Sequence, residues 1–115
     1  MYHFSYAEVL EEAPKDARQR ERMAIERAVE LLERAEAKGA RSREAVDALD
    51  FVRRLWGMLI EDLANPENDL PKTLRADLIS VGLWIMREAE KIRQEESTNF
   101  RGLIDVTRAI GGGLR

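Results

Sequence analysis

The sequence predicts an all-α fold: a small antiparallel bundle of three long helices with short N- and C-terminal helices. Three observations carry that prediction. Apolar residues recur at three- and four-residue intervals through three long segments, the spacing of one helix face. The only prolines, Pro14, Pro66 and Pro71, punctuate the chain at segment boundaries and leave the periodic stretches unbroken. No stretch alternates apolar and polar residues as a half-buried strand would. At 115 residues, 44% hydrophobic and 36% charged, the chain reads as a single helical domain over 1–110 with a flexible Gly-rich tail over 111–115.

Each element follows from local signals. Ser5-Tyr6-Ala7-Glu8 fits a capping box, with Phe4 and Val9 spaced as its hydrophobic staple, and starts a short helix from Tyr6 to about Glu12. Tyr2, Phe4 and Tyr6 are expected to pin it to the body. Pro14 suits a first helical position, and Asp16 favours the first turn, so a long helix should run to about Lys38 and stop at Gly39. Its stripe is Ala17, Ala24, Ala28, Leu31 and Ala35, widened by Ile25, Val29 and Leu32. Ser42 is a good N-cap for a second long helix ending near Ala64. There Ala45, Leu49, Val52, Trp56, Leu59, Ile60 and Leu63 share one arc, flanked by Phe51, Leu55 and Met58. Asn65-Pro66-Glu67-Asn68 has the chemistry of a type I turn. The third long helix begins near Pro71 and ends near Glu95, with Leu74, Leu78, Val81, Ile85, Ala89 and Ile92 as its inward seam. After the caps Ser97, Thr98 and Asn99, FRGLIDVTRAI makes a short last helix before Gly111-Gly112-Gly113.

Composition removes several classes of chemistry. Without cysteine there is no disulfide, thiolate metal site or thiol nucleophile. The one histidine, His3, has no second ligand and no positioned partner, so neither a metal site nor general-base catalysis is expected. Adjacent acids such as Glu11-Glu12 and Glu95-Glu96 point to different helix faces and make no shared acid–base site. No phosphate loop, serine elbow or calcium loop occurs. The expectation is a protein with no catalytic residues, no metal and no cofactor. MYHFSYAEVLEEAP lacks the basic and apolar regions of a signal peptide, and the longest apolar run is far shorter than the ~20 residues of a membrane span. An intracellular location is expected.

The formal net charge is −3, from 22 acids against 19 bases, which argues against a protein built mainly to neutralise phosphates. Fifteen of the 19 bases are arginine, clustered at Arg18, Arg20 and Arg22 and at Arg41, Arg43, Arg53 and Arg54. Mixed-sign charge along a helix is ordinarily a solvated face.

LISVGLWIM, residues 78–86, raises the functional question, because Ser80 is its one polar side chain. With Ile79, Leu83 and Met86 beside the inward seam, the apolar arc of this helix covers about 200°, roughly twice what one core contact requires. Two readings stand: the terminal helices cover the excess, or a groove between the second and third helices accepts a partner's amphipathic helix. Trp56, in mid-stripe, is expected in the core. Trp84, off the main seam, is either a contact for the N-terminal aromatics or an exposed anchor.

MYHFSYAEVLEE, the block from SREAVDALDFVRRLWGMLIEDLANPENDLP to GLWIMREAEKIR, and NFRGLI together resemble the FlaF family of flagellar biosynthesis regulators in alpha-proteobacteria. The likeness spans nearly the whole chain. It implies a cytoplasmic, non-enzymatic accessory protein that supports flagellin synthesis and filament assembly, associates with flagellin and acts alongside a second regulator, FlbT. Under that reading the groove takes an amphipathic terminal helix of flagellin. Its expected lining is Phe51, Leu55, Met58, Ile79, Leu83, Met86 and Trp84, with Arg53 and Arg54 as rim charges. The alternative is an RNA-binding regulator of the flagellin messenger, using Arg41, Arg43, Arg53 and Arg54 against phosphates. The acidic balance and the lack of an aromatic stacking platform disfavour it.

Overall fold

A computed structural model describes residues 14–113, with side-chain surroundings over 19–112. The expected helix over Tyr6–Glu12, its capping box, His3 and residues 114–115 lie outside the described residues. Four helices follow in order: α1 (Pro14–Lys38), α2 (Arg43–Ala64), α3 (Lys72–Arg93) and α4 (Phe100–Gly113). They form an all-α, four-helix bundle, and no strand occurs among the described residues. α4 continues through Gly111 and Gly112 to Gly113 as helix.

Boundary chemistry explains where each helix starts and stops. α1 begins at Pro14, whose missing N–H belongs to the turn that has no intrahelical acceptor. It ends where Gly39 takes φ +99° and its N–H donates to Ala35 O at 2.8 Å, a left-handed C-terminal stop. Ser42 caps α2, its Oγ accepting from Ala45 N at 3.1 Å. Asn65 Oδ1 accepts from Glu67 N at 2.8 Å, closing the turn that carries Pro66. α3 ends with Glu95 at φ 63°, while Glu96 N donates to Lys91 O at 2.8 Å. That is the hydrogen-bond pattern of a Schellman stop, with glutamate in the place where glycine is commonest. Asn99 Oδ1 accepts from Gly102 N at 3.0 Å and starts α4.

Packing is unequal among the helices. α2 packs broadly on both α1 and α3, and α4 packs broadly on α1 but meets α3 only sparsely. The core holds Ile25, Leu32, Val52, Trp56, Ile85, Ile92, Leu103 and Ile104, all at most 1% exposed. Each such side chain stabilises the fold by about 1.5–3 kcal/mol through burial. Trp56 takes its expected core position, and Trp84 is half-buried against the core edge.

The expected inward seam of α3 is only partly realised. Ile85, Ala89 and Ile92 are buried, whereas Val81 and Leu78 are half-buried and Leu74 is 42% exposed. The physical reason is the placement of α4, which lies along α1 and leaves the first half of α3 without a further neighbour among the described residues. Ion pairs hold α4 there: Arg101 to Glu36 at 2.5 Å and Arg108 to Glu33 at 2.8 Å.

Close approach of α2 and α3 depends on Gly82. A Cβ at that position would lie 2.7 Å from Trp56 Cε3 and 3.0 Å from Ile60 Cγ1. Gly82→Ala is therefore expected to lower stability by about 1–3 kcal/mol through overpacking, despite alanine's higher helix propensity. Chemical denaturation with near-ultraviolet circular dichroism measures both the loss and the disturbed indole. On α4, Thr107 is fully buried and its Oγ1 has no hydrogen-bond partner among the described residues. Thr107→Val keeps the shape and removes an unpaired hydroxyl, so it should raise stability by about 1–3 kcal/mol in the same assay.

Candidate functional site

The sparse α3–α4 contact leaves an opening at one end of the bundle. The C-terminal part of α2 supplies its floor with Trp56, Leu59 and Leu63. The start of α3 and the preceding turn supply Leu78, Asn68 and Leu70, and α4 supplies Ile110. Glu21 of α1 and Asp62 of α2 complete the wall. The enclosed space is about 70 Å³. That is about half the ~150 Å³ that holds a benzene ring, so it takes the end of one side chain and not a cofactor. Around it Leu70 is 38% and Leu74 42% exposed, which extends the apolar surface outward.

The side chains expected to line a groove between α2 and α3 are not brought to one place. Phe51, Leu55, Met58 and Asp62 recur at i, i+4, i+7 and i+11 and therefore share one flank of α2. Asp62 acts on the charge of Glu21, so that flank faces α1. α3 meets α2 through Trp56 and Ile60, and Ile60 lies about 160° around the helix from Met58. Ile79, Leu83 and Met86 share the flank of α3 that carries Glu90, the side on which the charge of Arg53 of α2 is felt. Within these sets Leu55 is buried, Phe51 and Met86 are half-buried against the core, and Ile79 is half-buried. Met58, 60% exposed, and Leu83, 43% exposed, are the open ones. Trp84 points in a third direction, about 100° from Leu83.

The arginines expected as phosphate contacts are largely occupied. Arg41 pairs with Glu95 at 2.7 Å, Arg43 with Asp47 at 3.2 Å and Arg54 with Asp50 at 2.8 Å. Glu90 is held below the ordinary carboxylate range first by its hydrogen bond from Arg93, and the charge of Arg53 adds to that. Exposed pairs of this kind contribute little to stability, but they cancel the local field that would attract a polyanion. A second, wider cleft of about 400 Å³ runs along the α1–α4 seam, lined by charged and apolar side chains alike. The Arg108–Glu33 pair lies in its wall.

Sequence reading missed Glu21 and Asp62, because each looks like one more surface acid. Both carboxyls are pushed above the ordinary range, chiefly by burial; for Glu21 the Asp62 charge adds to the rise. The hydrogen bond from Asn68 Nδ2, 3.3 Å from Asp62 Oδ2, opposes it for Asp62. A carboxyl whose pKa is raised on folding binds its proton more readily in the native state. Its contribution is therefore present below the unfolded pKa and is lost as pH rises through the raised native value. Melting temperature should fall as pH climbs from the ordinary carboxylate range through that window. The double variant Glu21→Gln/Asp62→Asn should flatten this fall, as thermal melts across that range would show.

Among the described residues no group of three or more His, Asp or Glu side chains is placed to hold a metal ion, and no helix is long and apolar enough to cross a membrane. No curated protein and no solved structure matches the chain. The family model described as flagellar protein FlaF matches residues 2–114. That match spans nearly every residue, and the chain belongs to the FlaF family, whose members are non-catalytic flagellar regulatory proteins.

Proposed function

We propose that this FlaF-family chain is a cytoplasmic accessory factor of flagellum assembly that binds flagellin. Sheltering an amphipathic terminal helix of flagellin before export prevents premature polymerisation and links free flagellin to its synthesis, in functional partnership with FlbT. The single observation that carries this reading is the uncovered first half of α3. Leu74 and Leu78 form an apolar stripe that α4 does not close, bordered by Leu70 and Ile110. A helix laid against that stripe buries apolar surface at about 25 cal/mol per Å², the ordinary basis of helix-in-groove recognition. Ile79, Leu83 and Met86 form a separate stripe on the other side of the Gly82 contact with α2, with Arg53 and Arg54 on that neighbouring helix as rim charges. Phe51, Leu55 and Met58 belong to the α1–α2 flank, where Met58 alone is well exposed. An RNA-binding role draws no support from the paired arginines.

The test is co-purification with flagellin, full-length and truncated at either terminus. Leu74→Asp and Leu83→Asp alter side chains that are already substantially exposed, so helical circular dichroism and melting should stay near wild type. Leu74→Asp is expected to abolish flagellin capture, and Leu83→Asp, about 180° away around α3, to leave it near wild type. Undiminished capture by Leu74→Asp would contradict the proposed surface.

A further inference from the structure

Two carboxylates stand in the wall of an otherwise apolar cavity. Glu21 comes from the second turn of α1 and Asp62 from the last turn of α2, and Trp56, Leu59, Leu63 and Leu78 surround them. Among the described residues neither carboxylate has an ion-pair partner. Asp62 takes only the Asn68 amide, at 3.3 Å from Oδ2. Arg75, the cation that α3 brings to this end, is turned to the backbone, donating to Leu63 O at 3.3 Å and Asn65 O at 3.2 Å. Two like charges near each other in poorly hydrated surroundings destabilise the folded chain, and burial is the main reason both carboxyls sit above their ordinary range.

A second observation concerns the same wall. Trp56 is 1% exposed, and its Nε1–H has no acceptor among the described residues. The benzo edge of the indole, Cε3 and Cζ3, faces Gly82. The same Trp56 lines the cavity together with Glu21, Asp62 and Leu63. A buried donor left unpaired is destabilising. The cavity thus offers two negative charges that are uncompensated among the described residues, inside apolar surroundings and beside the exposed Leu70 and Leu74.

We infer that this cavity takes one lysine or arginine side chain carried within the apolar face of a partner helix, with Glu21 and Asp62 as its counter-charges. The inference rests on the flagellin-binding reading and narrows it: the bound segment of flagellin is a helix whose apolar stripe is interrupted by a basic residue. The leucines bury the stripe and the stem of the basic side chain, and the carboxylates meet its charged end. The arrangement selects against purely apolar helices, which would leave both carboxylates buried and unpaired.

Titration calorimetry of the full chain with flagellin tests this, using wild type, Glu21→Gln, Asp62→Asn and the exposed control Glu26→Gln. The expected result is about tenfold or greater weakening for each cavity variant, no change for the control, and melting temperatures of the free cavity variants equal to or above wild type. Asp62→Asn carries the test should Glu21→Gln fold poorly. Flagellin variants with single terminal-helix Lys→Gln or Arg→Gln changes should reproduce the loss at one position only. Wild-type binding with cavity variants within about twofold of it overturns the cation pocket while leaving flagellin binding intact. Absence of wild-type binding overturns both.

Discussion

The contact between the indole of Trp56 and the bare backbone of Gly82 is the constraint on which the rest of the bundle depends. Any larger residue at 82 would hold α3 away from α2, because the nearest ring atom leaves no room for a methyl group. With Gly82 in place, Ile85, Ala89 and Ile92 reach the core and are fully covered. α2 thus becomes the central helix, holding α1 on one flank and α3 on the other. α4 is left to choose a neighbour, and it takes α1.

That choice is electrostatic at the surface and apolar beneath. Phe100, Leu103 and Ile104 bury themselves in the shared core, while Arg101–Glu36 and Arg108–Glu33 lie across the seam. Individually such exposed pairs contribute at most about 1 kcal/mol, so burial supplies the energy and the pairs supply alignment. The arginine bias of the composition finds its explanation here: the cations serve neighbouring acids on helix surfaces. The acids at the open end behave differently. Glu21 and Asp62 have been drawn into the wall of an apolar cavity, where charge is costly, and the bundle tolerates them at a place where its packing is already incomplete.

In the function proposed above, the protein acts through the side of α3 that α4 leaves unclosed, with its leucines and the two acids behind them. Burial of apolar area would supply affinity there, and the carboxylates would supply selection, since an unpaired buried charge penalises the wrong partner more than a paired one rewards the right partner.

Local chemistry made most element boundaries legible before any fold was considered. Pro14, Gly39, Ser42 and Asn99 each act through their own backbone or a hydrogen bond to a residue three or four positions away, so short sequence windows contain the whole interaction. Periodicity likewise identified Trp56 as core and Leu74, Leu78 and Val81 as one face with Ile85. It could not say what covers that face, because the covering helix is recruited through contacts between residues as far apart as Arg101 and Glu36. The same limit explains why Met58 and Leu83 looked like neighbours: each lies on an apolar flank, but only the Trp56–Gly82 register shows that the flanks point away from each other. The sequence alone determined an all-helical chain, most of the helix boundaries and the oily face of each long helix. The tertiary structure decided which face stays open and brought Glu21 and Asp62 together there, since burial and charge coupling exist only once distant segments have packed.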